Sequence, residues 1–361
     1  MANPMPVMPG MPAANTLPPP GLSSYLTWHP APVFLIGSIL VTALYLYGVL
    51  RLRMRGDKWG YGRIANFLIG MLLFVGITCS GLSVYGMYLF SAHMIQHMML
   101  SMVVPLFLLL GAPITLTLRV LHPAGPGRTG PREVLLAFLH SRFAKVISSP
   151  LFTLPLFIVS LYGLYFTSLF DTLMRSTIGH DAMLVHFLGV GLLFFWPVMG
   201  VDPAPHRSPY VIRILELFAV MPFHAFFGVA IMASTSVFEN VFANPPAAWH
   251  ISALSDQNTA GSLAWGFGEA PTILVLLVLF VQWSKSDQRE AKRKDRKADR
   301  DGDSELNEYN EYLAGLAQLG QRSGAAAQTE AETEAVTEQE QDQEPESADA
   351  VQAESESETV A

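Results

Sequence analysis

Two histidines one helical turn apart, His93 and His97, are the leading candidates for a chemical site in this sequence. They belong to the segment His93-Met94-Ile95-Gln96-His97, and side chains at positions i and i+4 of a helix share one face. Both imidazoles can therefore reach one metal ion, as they do in helical zinc sites. The zinc-protease form of the motif requires a glutamate directly after the first histidine, and Met94 occupies that position.

The methionines of this segment bear on which metal it would bind. Met94 and Met98 lie beside the two histidines in the sequence, and thioether sulfur is a soft ligand that selects Cu(I). Imidazole suits copper, zinc and iron, so a mixture of histidine and methionine favours copper. Methionine also fills gaps in hydrophobic cores, and packing is therefore the alternative role of both side chains.

The segment lies in a chain whose composition is typical of membrane proteins. The 361 residues are 51% hydrophobic and 14% charged, whereas soluble domains carry about 25% charged residues. The net charge of −8 comes from an acidic C-terminal tail, so it does not indicate nucleic-acid binding. A single cysteine, Cys79, excludes an internal disulfide and a cysteine-based metal cluster.

Long apolar runs predict the elements that position the candidate ligands. A helix that crosses about 30 Å of hydrocarbon needs about 20 mostly apolar residues. Backbone groups must be hydrogen-bonded within lipid, so such segments are expected to be helices. The sequence therefore predicts an all-α polytopic membrane protein with seven transmembrane helices, roughly Val33–Leu50, Ile64–Ser83, Tyr85–Leu110, Leu151–Phe170, His180–Met199, Val211–Thr235 and Leu263–Trp283.

Basic residues in the connecting segments predict the orientation of the helices. Lysine and arginine concentrate on the cytoplasmic side of a membrane protein. The opposite connections contain only Arg175, so the N-terminus is expected outside and the C-terminus in the cytoplasm. The basic residues that carry this prediction are Arg51, Arg53, Arg55, Lys58, Arg63, Arg119, Arg128, Arg132, Arg142, Lys145, Arg207, Arg213 and the run between Lys285 and Arg300.

Four parts follow from these patterns. Residues 1–31 form an outer leader rich in proline and methionine, expected to be disordered and unlike a cleavable signal peptide. Residues 32–284 form the seven-helix membrane domain, and 285–300 form a basic juxtamembrane segment that contacts lipid head groups or anchors the topology. Residues 301–361 form a cytoplasmic tail with a short helix followed by an acidic segment, expected to be disordered from Ser323.

Ionisable side chains are costly within a bilayer and commonly mark a functional site. With the predicted orientation and a rise of 1.5 Å per residue, most candidates fall in one layer, about 9 to 18 Å below the outer surface. His180 is expected at the outer boundary. The sequence thus predicts an outward-facing copper site with metal ligands His93, His97, His186 and His224 and with supporting residues Glu269, Asp256, Met94 and Met98.

Several longer motifs occur in a fixed order within the predicted membrane domain. They are residues 91–100 and 110–113, then Phe195-Trp196-Pro197, 200–203 and 221–228, and finally Asp256-Gln257, Gly261, Trp265, Gly268-Glu269 and Pro271. This series resembles that of bacterial cytochrome c oxidase assembly factors of the CtaG type, over about Pro30 to Trp283. The leader and the acidic tail lie outside the resemblance.

The resemblance implies a non-catalytic assembly factor of the bacterial plasma membrane that helps copper reach a haem–copper oxidase. The implied partners are oxidase subunits, membrane lipid and a copper donor on the periplasmic side. Longer relatives carry a second membrane domain similar to copper-import proteins, whereas this chain is expected to hold the seven-helix unit. The functional residues that the resemblance implies are His93, His97, His186, His224, Asp256 and Glu269, with Trp265 in support.

Three other functions stay open at the level of the sequence. Two histidines on different helices could ligate haem in a membrane redox enzyme. A copper transporter would need ligands through to the cytoplasmic side, whereas the intramembrane histidines stop in the predicted outer half. In a purely structural role, the histidines would only form hydrogen bonds between helices, and alanine substitutions would lower stability without changing metal content.

Overall fold

The computed structural model describes residues 16–125, 127–205, 208–301 and 304–343. Helices dominate these residues, and no β-strand occurs among them apart from an isolated bridge between Trp28 and Ser80. The chain divides into two compact units, Met1–Trp283 and Ser284–Ala361. The predicted all-α class is confirmed.

The first unit contains the long apolar helices. Within the described ranges, six helical stretches are long and apolar enough to cross a membrane, so the chain is a multi-pass membrane protein. They are α2 (Pro32–Met54), α3 (Tyr61–Thr78), the stretch Phe90–Val120, α12 (Thr177–Met199), α13 (Tyr210–Ala233) and Ala253–Lys297 within α14 (Ala253–Asp301). Phe90–Val120 comprises α5 (Phe90–Met98), a π-helical turn (Met99–Val103), α6 (Val104–Leu110) and α7 (Pro113–Val120).

The remaining elements are shorter. The helices among them are α1 (Leu22–Tyr25), α4 (Gly81–Tyr85), α8 (Pro131–His140), α9 (Arg142–Ile147), α10 (Pro150–Tyr165) and α11 (Leu169–Met174). Two 3-10 turns, Asn240–Phe242 and Ala247–Trp249, lie between α13 and α14. These shorter elements lie before, between or after the long helices in the chain.

The predicted fourth span differs from the structure. Leu151–Phe170 was expected to be one helix, but α10 ends at Tyr165 after 16 residues and α11 begins at Leu169. The Thr167 hydroxyl donates to the Gly163 carbonyl and accepts from the Leu169 amide, which replaces helical hydrogen bonds at the break. A helix of this length rises about 24 Å, short of the usual span. The seven-helix count and its orientation therefore stay predictions.

A π-helical turn follows the histidine segment directly. Pro105 lacks an amide hydrogen, so it cannot bond the carbonyl of Ser101 as a regular helix requires. Gly191 of α12 lies against this carbonyl so closely that a Cβ at Gly191 would overlap the Ser101 oxygen. The absence of a side chain at Gly191 therefore lets α12 pack against the turn that ends the histidine helix.

The second half of the leader is ordered, unlike the prediction of disorder for residues 1–31. Tyr85 donates from its hydroxyl to the Pro18 carbonyl at 2.7 Å, and Trp249 Nε1 donates to the Leu17 carbonyl at 3.2 Å. Proline has no amide donor but keeps a strong carbonyl acceptor, which these aromatic residues use. Residues 1–15, with Met5, Met8 and Met11, lie outside the described residues.

The second unit is helical in its described part. The basic segment 285–300 continues α14 to Asp301, and α15 runs from Ser304 to Gln343. The sequence predicted only a short helix here and disorder from Ser323, so the helix is about 20 residues longer than expected. Alanine, glutamate and glutamine favour helix even where nothing packs against them. Residues 344–361 lie outside the described residues.

Candidate functional site

The histidine helix α5 is held in place by a carboxylate from another helix. Asp256 of α14 accepts hydrogen bonds from the Phe90 amide at 2.5 Å and the Ser91 amide at 3.3 Å, and the Ser91 hydroxyl also donates to it. These are free amides of the first helical turn, where negative charge is favourable. Asp256 therefore holds the N-terminal end of α5, the helix that carries His93 and His97.

His93 is buried in a cluster of aromatic rings, and this cluster is called the histidine chamber below. Its side chain is 1% exposed, and its ring centroid lies 5.1 Å from Phe170 and 5.9 Å from Phe242. By distance and angle, neither ring nitrogen of His93 forms a hydrogen bond with the described residues, although the Gly86 backbone lies near enough to interact weakly with the ring. Because an unpaired buried polar group is unfavourable, these nitrogens are available to a ligand.

A second imidazole belongs to this chamber. His180 of α12 is 2% exposed, and its ring centroid lies 6.0 Å from that of His93. Its Nδ1 lies 3.9 Å from Asp181, while its Nε2 has no partner in the described part of the chain. The sequence placed His180 only at the outer boundary. Its helical spacing to the buried residues Met183, Leu184 and Phe187 would have revealed its inward face.

His97 has a different environment one turn further along α5. Its Nδ1 lies 3.0 Å from the hydroxyl oxygen of Tyr165, which ends α10. The Tyr165 ring lies 5.5 Å from His97 and 6.3 Å from His93, so this tyrosine contacts both histidines. His97 thus has a polar side-chain partner, whereas His93 has no side-chain partner in the described part of the chain.

The other two predicted ligands, His186 and His224, lie within electrostatic range of His97, whereas His180 interacts with His93. His186 is exposed and its Nε2 bonds the Ser160 hydroxyl of α10 at 3.0 Å. His224 is buried in α13 against Gly268 of α14, with its ring 5.6 Å from Phe157. Neither of its ring nitrogens has a partner within the ranges that the structure describes. Among the described residues, no three histidine, cysteine or acidic side chains are arranged to hold one metal ion.

Of the predicted supporting residues, the two methionines are buried in the core, whereas Glu269 and Trp265 are exposed at least in part. Met94 and Met98 are fully buried and belong to the hydrophobic core, which agrees with their alternative packing role. Glu269 accepts a hydrogen bond from Trp265 Nε1 one turn earlier on α14. Trp265 is 44% exposed and Glu269 is partly exposed, so this pair reaches the surface of the first unit.

Two carboxyl groups near the chamber escaped the sequence analysis. Glu239, three residues before Phe242, is 5% exposed and its Oε1 has no partner within the described ranges. Burial, followed by the nearby Asp171 carboxylate, raises the pKa of Glu239 to about 8. Both belong to connecting segments beside residues that line His93. Glu239 and Asp171 lie outside the apolar runs, so the sequence did not indicate that their side chains are buried wholly or in part.

A buried arginine and glutamate in α13 also escaped attention. Arg213 and Glu216 are each 5% exposed, one helical turn apart, and Arg213 Nε donates to the Ser208 carbonyl at 2.8 Å. Gly200 adopts a left-handed φ of +59° directly beside the guanidinium group, where a side chain would collide with it. From the sequence, Arg213 was interpreted only as one of the basic residues that predict the membrane orientation.

Comparison with known proteins identifies the family. The family model described as "cytochrome c oxidase caa3 assembly factor" matches residues 43–286, which is most of the chain. The chain belongs to the cytochrome c oxidase caa3 assembly factor family. The resemblance seen in the sequence motifs is thereby confirmed.

This chain is also similar to longer curated proteins. Uncharacterized proteins of Mycobacterium bovis and Mycobacterium tuberculosis are each 43% identical over 307 residues, and one of Mycobacterium leprae is 42% identical. Each alignment covers 83% of this chain and 46% of the relative, so the chain spans about half the length of the curated relatives that it matches. No solved structure matches the chain significantly.

Some motif residues of this caa3 assembly factor family member hold helix ends together. Asp202 accepts from the Ile114 amide at 3.0 Å and from the Thr115 amide at 2.8 Å, at the start of α7. This repeats the arrangement of Asp256 on α5. Gln257 accepts from the Phe238 amide at 2.6 Å, which fixes the segment after α13. These residues shape the bundle around the histidines.

Proposed function

We propose that this family member binds copper transiently, between the imidazoles of His93 and His180, and passes it to a haem–copper oxidase during assembly. The observation that supports this most directly is that both imidazoles are buried 6.0 Å apart with unpartnered ring nitrogens. That separation leaves room for an ion bonded at about 2 Å to one nitrogen of each ring. Binding and release are the proposed activity, without a catalytic step.

The donor set fits copper as a cargo. Neutral imidazole is a good ligand for copper, and a chamber lined by Phe170 and Phe242 keeps competing water ligands away. Two nitrogen ligands are fewer than a closed structural metal site uses, and an incomplete set allows release. His97, bonded to Tyr165, and His224 lie deeper in the predicted bundle and stay secondary candidates as ligands.

The expected partners follow from the same proposal. In the predicted orientation, His180 near the start of α12 faces the outer side of a bacterial plasma membrane. A copper donor on that side and an oxidase subunit in the same membrane would then exchange the ion with His93 and His180. Membrane lipid surrounds the bundle as its solvent.

Haem is the alternative ligand of a histidine pair, and the packing around His93 disfavours it. Phe170, Phe242 and Tyr165 surround the ring at centroid distances of 5.1 to 6.3 Å. A porphyrin between the two imidazoles would have to displace these side chains from a close-packed interior. Copper requires only the space of one ion.

Three alanine variants test the proposal on detergent-purified protein. We expect His93→Ala and His180→Ala each to weaken Cu(I) binding by at least about tenfold, because each removes one of two ligands. His186→Ala is the matched control, since His186 is exposed and bonded to Ser160, and it should bind Cu(I) like the wild type. A chelator competition titration measures the affinity, and a visible spectrum of the same sample detects haem.

The outcomes separate the candidate functions. Unchanged Cu(I) affinity in both His93→Ala and His180→Ala, with each variant folded, would refute the copper proposal. A stoichiometric haem band that disappears in these variants would replace it with a redox protein. In cells, the same variants should lower the copper content of the oxidase without lowering the amount of this chain.

A further inference from the structure

A buried carboxyl group, that of Glu239, lies beside the histidine chamber. It is 5% exposed, and it precedes by three residues Phe242, whose ring lies 5.9 Å from that of His93. Its Oε1 has no hydrogen-bond partner within the described ranges. Glu239 also lies within electrostatic range of Tyr165, whose ring is 6.3 Å from that of His93. A charge at Glu239 therefore acts on the residues that surround His93.

A second carboxyl group faces Glu239 from α11. Asp171 lies within electrostatic range of Glu239, and its buried Oδ1 has no partner in the described part of the chain either. No lysine or arginine of the described residues forms an ion pair with either group. Two neighbouring carboxylates without a base disfavour each other's charge, so the pair holds a proton at neutral pH. Burial and the Asp171 carboxylate raise the pKa of Glu239 to about 8, which assigns this proton to Glu239.

The other acidic groups near the chamber have different environments. Asp256 of α14 accepts its hydrogen bonds from Phe90 and Ser91 in the first turn of α5. Asp181 of α12 lies 3.9 Å from His180 Nδ1, but 34% of its side chain is exposed. Solvent screens the charge of such a group, and it is ionised at pH 7 whether the chamber is empty or filled. The exchangeable proton therefore belongs to Glu239.

A Cu(I) ion between His93 and His180 would add a positive charge to this buried region. Imidazole binds a metal ion in its neutral form, so the two ligands do not offset the charge. A charge without a counter-ion is unfavourable in a protein interior. Loss of the Glu239 proton supplies a negative charge close to the chamber, and the total charge then stays the same as before the ion entered.

We propose that Glu239 is the counter-ion of the histidine chamber and exchanges its proton for the bound copper ion. This inference rests on the copper proposal above. As bonds form between Cu(I) and the two imidazole nitrogens, the O–H bond of Glu239 breaks and its proton passes to water. Release of the ion reverses both steps, so a lower pH favours release.

Cu(I) titrations of the detergent-purified full chain test the exchange. In weakly buffered, anaerobic solution at pH 7, a pH indicator counts the protons released as Cu(I) binds. The wild type should release about one proton per ion more than Glu239→Gln, because glutamine cannot ionise. Glu239→Asp, which restores a carboxyl group, should recover the release. Asp181→Asn is the matched control and should release as many protons as the wild type, because Asp181 is ionised before the ion binds.

The affinity for Cu(I) gives a second measurement of the same exchange. Between pH 6 and pH 7 the affinity should rise about tenfold more in the wild type than in Glu239→Gln, as linkage to one proton requires. Protons that leave the imidazoles are common to both proteins and cancel in the comparison. Thermal unfolding at both pH values shows that the variants are folded.

Three results would overturn the proposal. Equal proton release by the wild type and Glu239→Gln, with Cu(I) bound to both, would show that the ion needs no exchange at Glu239. Loss of the release in Asp181→Asn would transfer the role to Asp181. A wild type that binds no Cu(I) would overturn the copper proposal as well, so failure of this inference alone is distinguishable from failure of both.

Discussion

His93 and His97 share one face of α5, yet their ring nitrogens have different surroundings. His97 bonds the hydroxyl of Tyr165, while both nitrogens of His93 lack a partner in the described structure. Leaving a buried polar group unpaired costs about 1–3 kcal/mol, so such a residue is expected to be useful in another state of the protein. Ring nitrogens that lack a partner in the described structure make His93, His180 and His224 candidate metal ligands. His186 is a weaker candidate, because its Nε2 is bonded to the Ser160 hydroxyl.

The carboxyl group of Glu239 should make stability depend on pH. Its pKa is raised to about 8 in the folded chain, against about 4.3 when unfolded. Between these values the folded chain holds a proton that the unfolded chain has released, so the free energy of unfolding falls as pH rises. Above about pH 8 both states are ionised and the dependence ends.

Glu239→Gln tests this directly, because glutamine keeps the shape of the side chain without ionising. We expect the variant to gain stability over the wild type as pH rises from 5 to 8, with little difference at pH 5. Thermal unfolding in detergent at several pH values measures it. Parallel pH profiles for the two proteins would show that Glu239 ionises normally in the folded chain.

At the scale of elements, the π-helical turn Met99–Val103 links the histidine helix to the rest of its span. Such turns within helices are frequent at functional sites. Here the turn accommodates Pro105 and leaves the Ser101 carbonyl facing Gly191 of α12. The same helix α12 carries His180, so the contact at Gly191 bears on the spacing between the two proposed copper ligands.

Two neighbouring glycines of α12 make a matched test of that contact. Gly191→Ala should destabilise the protein by about 1–3 kcal/mol, because the added Cβ overlaps the Ser101 oxygen. Gly189→Ala should be neutral or slightly stabilising, since a Cβ at Gly189 meets nothing within 4 Å. Thermal unfolding compares the pair. Equal effects of the two substitutions would show that α12 does not need a glycine to cross the turn.

At the scale of the whole molecule, the membrane topology rests on the short helix α10. Its 16 residues are fewer than a typical span, and two prolines, Pro150 and Pro155, lie within it. The charge pattern of the connecting segments requires that it cross the membrane. Without that crossing, every later segment would lie on the side opposite to the prediction.

Cysteines placed on either side of α10 test whether this helix crosses the membrane. Arg142→Cys should be protected from a membrane-impermeant maleimide in intact spheroplasts, whereas Thr172→Cys should be labelled, because the predicted orientation puts them on opposite sides. The native Cys79 is buried and gives the background. Both variants should react after permeabilisation. Equal labelling of the two before permeabilisation would mean that α10 does not cross.

The sequence by itself determined the class of structure, most of the helices and the family. Apolar runs and alternating basic connections are local properties, so they predict helices and a topology without knowledge of packing. The motif series around His93, His224 and Asp256 was likewise specific enough to identify a family that the comparisons confirm. Helix ends were predicted less well, because a hydroxyl such as that of Thr167 can end α10 early.

Only the tertiary structure decided which polar side chains meet. The sequence predicts how deep a residue lies in the membrane, but the rotation of each helix about its axis depends on packing against its neighbours. That rotation leaves His186 exposed and turns His180 toward His93, and it pairs Glu269 with Trp265. It also makes Asp256 a cap for α5, since a hydrogen bond between residues 165 or more positions apart has no local signature.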